Sequence, residues 1–145
     1  MSLRKLEDRQ QITELIYRYC RAVDRIDVEL GCSVWHEDGT AEVKGFYSGG
    51  ARGFIEKVCA NHRALLGLSH QISNVIIELD GARAQSESYV TATLRVRDGE
   101  RTKQITVWSR YIDRWSRRGG RWGIDERVTL RDFDEIREVV PLSPP

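Results

Sequence analysis

No apolar stretch in this chain of 145 residues approaches the roughly 20 residues that a membrane span needs. Neither charge is in excess. The formal charge is +1, so bulk electrostatics give no case for a nucleic-acid partner. The three cysteines, Cys20, Cys32 and Cys59, are odd in number and lack C-x-x-C spacing, which argues against both a disulfide scaffold and a zinc site. No Gly-rich phosphate loop, no metal-ligand spacing and no internal repeat is present. The first residues, Met-Ser-Leu-Arg-Lys-Leu-Glu-Asp-Arg, lack the apolar core of a signal peptide, so the cytoplasm is the expected location.

What remains is an ordinary globular composition, with 31% charged and 40% apolar residues. This length suits one domain that buries about two-thirds of its unfolded surface. Ile12, Leu15, Ile16, Tyr19 and Val23 recur at the spacing of one helical face, which predicts a helix over Leu6 to Val23 with Asp24 at its end. A short helical piece over Val28 to Trp35, a turn at Asp38-Gly39, a strand over Thr40 to Lys44 and a helix over Gly53 to Leu66 follow. From His70 the period changes to alternation, with His70, Ile72, Asn74 and Ile76 on one strand face. Asp80-Gly81, Asp98-Gly99 and Gly119-Gly120 mark three hairpin turns between strands over Ala84–Val96, Thr102–Trp115 and Arg121–Leu130. Helices first and a meander afterwards give an α+β domain over residues 1–136, with a loose tail over 137–145. A strongly curved, mostly antiparallel sheet with helices closing its concave side would enclose an apolar pocket.

Four polar residues are the candidates for chemistry in that pocket: Tyr19, Asp24, His70 and Arg127. Histidine is the usual general base because its unperturbed pKa lies near the working pH. It needs one ring nitrogen held by an acceptor so that the other is free to take a proton, and Asp24 is the candidate holder. The same carboxylate would stabilise the imidazolium as it forms. Arg127 and Tyr19 are donors suited to a developing oxyanion or a departing hydroxyl. Such proton removal beside an activating carbonyl requires no metal or other cofactor, and none is expected.

The resemblance is carried by Ala22-Val-Asp24, by Ser33-Val-Trp35-His-Glu-Asp38-Gly39, by His70-x-x-x-Asn74, and by Tyr111-x-x-x-Trp115 followed by Gly120-Arg-Trp122. Across almost the whole chain this pattern resembles the SnoaL-like branch of the NTF2-like superfamily, whose fold is a cone. The Asp plus His-x-x-x-Asn pairing resembles the lyase members, the group of bile acid 7α-dehydratase, scytalone dehydratase and hexachlorocyclohexane dehydrochlorinase. Tyr19 stands where the dehydrochlorinase has a lysine, and Tyr19 with Arg127 matches the bile acid dehydratase better. The resemblance therefore implies elimination of water rather than of halide, from a hydrophobic and cyclic small molecule. An isomerase or a polyketide cyclase would use the same base. A non-catalytic NTF2-like module for ligand binding or assembly is the alternative from another class.

Trp35, Asn74, Trp108 and Tyr111 are expected to line the pocket and bind substrate. Trp115 and Trp122 read as core. His36 and His62 read as surface, and Arg117-Arg118 as a solvated hairpin tip. An outer sheet face carrying Thr91, Thr93 and Trp108 would be an interface, so a homodimer or homotrimer is expected.

Overall fold

The computed structural model describes residues 1–143. Three helices, α1 (Leu3–Asp24), α2 (Val28–Cys32) and α3 (Ala51–His62), pack on a sheet of six strands. The strands are β1 (Trp35–Val43), β2 (Tyr47–Gly50), β3 (Gly67–Asp80), β4 (Arg83–Asp98), β5 (Arg101–Arg118) and β6 (Arg121–Val139). Their order across the sheet is β2-β1-β6-β5-β4-β3. Every pairing is antiparallel except that of β1 with β6. This is the curved α+β cone expected from the sequence. No helix among the described residues is long and apolar enough to cross a membrane.

Local rules explain most of this. Ser2 caps α1 by accepting a hydrogen bond from the Lys5 N–H, and Asp27 caps α2 through Leu30. The apolar stripe of α1 delivers Ile12, Ile16, Tyr19 and Val23 into the core, all buried. Each buried aliphatic side chain of that stripe stabilises the fold by about 1.5–3 kcal/mol. The three hairpins close as two-residue loops, because Asp80 faces Arg83, Asp98 faces Arg101 and Arg118 faces Arg121. Gly119 and Gly120 both have positive φ, as the tight hairpin turn demands.

Several expectations fail for identifiable reasons. Asp38-Gly39 is an irregularity inside β1, where the register against β6 slips between Trp35 and Thr40. A Cβ at Gly39 would lie 2.7 Å from both the Trp35 ring and the Ile124 carbonyl oxygen, so the chain needs glycine there. Asn74 has φ 51° and sits in a bulge of β3 between Ser73 and Ile76. The extra residue swaps the faces, so that Ile77 is buried while Asn74 and Ile76 are exposed. β6 runs to Val139, past the start of the expected tail at 137. The strand expected over Arg121–Leu130 is thus longer, and its backbone pairs with β5 as far as Thr102. His36 is buried rather than at the surface: its ring meets the Ser116 carbonyl at 2.8 Å through Nε2 and accepts from Arg121 through Nδ1. Arg117 and Arg118 are likewise claimed, Arg117 by Asp8 and Arg118 by Asp38 and Asp125.

Candidate functional site

β3 is an edge strand, so its outer row of N–H groups lacks a strand partner. The end of α1 supplies one. Asp24, the last residue of the helix, accepts from the His70 backbone N–H through Oδ2 at 3.0 Å. Its Oδ1 lies 2.6 Å from His70 Nδ1. One carboxylate therefore fixes both the backbone and the ring of the histidine. A carboxylate oxygen accepts, so Nδ1 is the donor in this contact, and Nε2 takes no part in it. The His70 side chain is 10% exposed and that of Asp24 is 23% exposed, so solvent reaches this pair without flooding it.

Asp24 and His70 open on a pocket of about 430 Å³. Ile72 and Cys20 supply its apolar surface, and Tyr17 and Arg21 from α1 with Arg25, just past its end, complete the lining. It is more polar than the apolar cavity anticipated from the sequence. His62 stands against the dyad, its ring centroid 5.6 Å from that of His70. Its Nδ1 meets the Val23 carbonyl at 3.0 Å, so Nδ1 carries the hydrogen. Burial, with a contribution from His70, holds its pKa below the usual histidine value. His62 is thus half-buried rather than a surface residue.

Tyr19 and Arg127 do not line this pocket; they belong to a buried cluster beneath it. Arg127 has no exposed surface and forms a two-pronged ion pair with Asp113, directly opposite on β5, at 2.7 and 2.8 Å. Aromatic rings wrap the guanidinium, with Cζ 3.9 Å from the Tyr111 ring centroid, 4.4 Å from Tyr19 and 5.3 Å from Trp35. Burial opposes the charge on Arg127, but Asp113 outweighs it and the pKa ends above the usual arginine value. Burial likewise pushes the Tyr19 phenol up, so it stays protonated through the physiological range. Among the described residues, Arg127 Nη1 has no hydrogen-bond partner. Cys20 lies between the two clusters: burial pushes its thiol up to about 12, against the pull of Arg127 and with the push of Asp24.

The four candidates therefore fall into two clusters, Asp24 with His70 and Tyr19 with Arg127, rather than one constellation. Of the expected substrate-binding residues, Trp35 and Tyr111 are buried around Arg127. Asn74 is exposed at its bulge, away from the pocket lining. Trp108 departs most clearly, because strand alternation sends it to the face opposite Tyr111, where it stacks on Phe133 at 4.6 Å. The sequence reading missed Asp113, although Tyr111-x-Asp113-x-Trp115 sets a carboxylate between two inward aromatic residues. It also missed Arg21, Arg25 and Tyr17, which look like ordinary solvated helix positions. Among the described residues, no group of three or more His, Cys, Asp or Glu side chains is arranged to hold a metal ion.

A family model described as a SnoaL-like domain matches residues 4–128. The chain belongs to the SnoaL-like domain family. No curated protein matches it in sequence. Among solved structures, the hexachlorocyclohexane dehydrochlorinase LinA-type3 from Novosphingobium barchaimii superposes with a TM-score of 0.83 at 17% identity, covering 97% of each chain. A candidate scytalone dehydratase from Novosphingobium aromaticivorans gives 0.78 at 18% identity, again over 97% of both chains. An NTF2-like protein with a cystatin-like fold from the same organism gives 0.71 at 28% identity, over 88% of this chain and 83% of its own. The SnoaL-like chain thus shares the NTF2-like cone with proteins of dehydratase and dehydrochlorinase type.

Proposed function

We propose that this SnoaL-like chain is a cofactor-independent lyase that eliminates water from a hydrophobic, cyclic small molecule, with His70 as general base. The observation that carries the reading is the 2.6 Å contact of Asp24 Oδ1 with His70 Nδ1 beside an open pocket. His70 Nε2 takes a proton from carbon next to an activating carbonyl, and the electron pair left behind forms the C=C bond. The C–O bond breaks, and the imidazolium returns its proton to the departing oxygen, which leaves as water. Asp24 stabilises the imidazolium between these steps. Tyr19 and Arg127, sealed in their own cluster outside the pocket lining, take no direct part in these steps.

Isotope exchange tests the base without knowledge of the leaving group. Cyclic ketones such as 1-tetralone and 4-chromanone, incubated with the protein in D₂O, should gain deuterium next to the carbonyl. The rate should fall about 10²–10⁴-fold in His70→Ala. Equal rates for the two proteins would remove the enzyme reading. A non-catalytic binding module is the second reading, and the enclosure of Arg127 among Tyr19, Trp35 and Tyr111 favours it, since a sealed cation can serve packing alone.

Assembly as a homodimer or homotrimer belongs to the same proposal. Phe133 and Ile136 are 61% and 60% exposed near the end of β6, and Trp108 stacks beside Phe133. Light scattering at micromolar concentration should give a multiple of the chain mass; a monomer would contradict it.

A further inference from the structure

We propose that the pocket takes an anionic ligand, whose carboxylate or phosphate group is held at the mouth by Arg21 and Arg25. This rests on the reading of the pocket as the substrate site and narrows the class of molecule that enters it. The two arginines stand one helical turn apart at the end of α1, and both line the pocket with Asp24 and His70. Among the described residues, neither guanidinium forms a salt bridge or a side-chain hydrogen bond. Many of their counterparts are claimed: Arg52 by Glu29, Arg110 by Asp132, Arg118 by Asp38, Arg127 by Asp113.

The carboxylate in the lining does not neutralise them. Asp24 is the one acidic side chain in the lining, and His70 takes both of its oxygens. The pocket therefore holds two cations with unused donors against one carboxylate already engaged. The negative end of the α1 dipole favours cations at this place, which accounts for basic residues here. It leaves their N–H donors free, and two guanidinium forks match the oxygens of a carboxylate or a phosphate.

Exposure sets the orientation of the ligand. Arg21 and Arg25 are exposed, whereas Cys20 is buried and His70 nearly so. A ligand that fits enters with its ring system against Cys20 and Ile72 and leaves its anionic group outermost. A volume of about 430 Å³ is in the range that holds a molecule of two or three fused rings.

Three probes with one ring system separate charge from shape: 2-naphthoate, 2-naphthyl phosphate and the neutral 2-naphthamide. Calorimetric titration at low salt should give both anions at least about tenfold tighter binding than the amide. That advantage should shrink below about threefold in Arg21→Gln/Arg25→Gln, and also in about 0.5 M salt, with amide affinity unchanged. The tighter of the two anions identifies the source as a carboxylic acid or a phosphate ester. Equal affinity for all three probes, loss of amide and anions alike in the double variant, or no binding of any probe would overturn the inference. Exchange of neutral ketones through His70 would still leave the lyase reading standing in each of those cases.

Discussion

Two carboxylates in this molecule each hold a nitrogen base or cation at hydrogen-bond distance, and they differ in access rather than in chemistry. Asp113 and Arg127 face each other across β5 and β6 with no exposed surface, roofed by three aromatic rings. Asp24 and His70 meet where a helix ends over a sheet edge, partly open to a pocket. The buried pair keeps a fixed charge in a dry site, where breaking it is costly. The open pair combines an imidazole held by a carboxylate with room for a molecule beside it. Similar geometry therefore predicts opposite sensitivities, one in folding and the other in turnover.

The largest effect expected is on the buried side. Asp113→Ala leaves Arg127 uncompensated in the core and should cost about 3–5 kcal/mol of stability. Denaturant unfolding checks this. The apolar pair Asp113→Leu/Arg127→Met should lose far less, since replacing both partners removes the stranded charge. If the single and double variants unfold alike, the ion pair is not what makes this region costly to disturb.

On the open side, Asp24→Asn should lower turnover or isotope exchange about 10²–10⁴-fold, with a stability loss of about 1–3 kcal/mol from weakened hydrogen bonds. A drop in stability as large as that of Asp113→Ala would erase the contrast between the regions. Tyr19→Phe sharpens the comparison because it keeps the ring over Arg127 and deletes only the hydroxyl. Turnover and the unfolding midpoint should both barely move, because Tyr19 lies outside the pocket lining; a turnover loss of about tenfold would place the hydroxyl at the substrate.

The smallest effect concerns pH. The His62 pKa is lowered in the folded protein by burial first; the hydrogen bond to the Val23 carbonyl opposes this, His70 adds to it, and the Asp24 carboxylate opposes it least. The unfolded chain therefore binds more protons between the folded value and the ordinary value of about 6.5. The contribution of His62 is complete above about 6.5 and is lost as pH falls through the folded value. His62→Gln should flatten the stability profile over that window in thermal melts at stepped pH, and an unchanged slope would assign the dependence elsewhere.

The sequence carries the open site better than the buried one. Asp24 is legible because the apolar stripe of α1 stops there, and His70 because the period changes from helical to alternating near it. The Arg127 partnership is hidden, since only the register of β5 against β6 brings Asp113 opposite it. Asn74 and Gly39 mislead for a related reason: a bulge inverts the alternation that makes a strand face readable. Trp108 and Tyr111 are three residues apart on one strand, and alternation alone separates them. Arg21 and Arg25 gain meaning only once a pocket opens beside the end of α1.

The central claim is that Asp24 holds His70 as a base with Nε2 free beside the pocket. Nitrogen-15 NMR of histidine-labelled protein, with His70 assigned by substitution, tests it most directly. The account predicts a protonated Nδ1 and a bare Nε2 for neutral His70, with that tautomer weakened or reversed in Asp24→Asn. A neutral His70 carrying its hydrogen on Nε2 in the unsubstituted protein would contradict it.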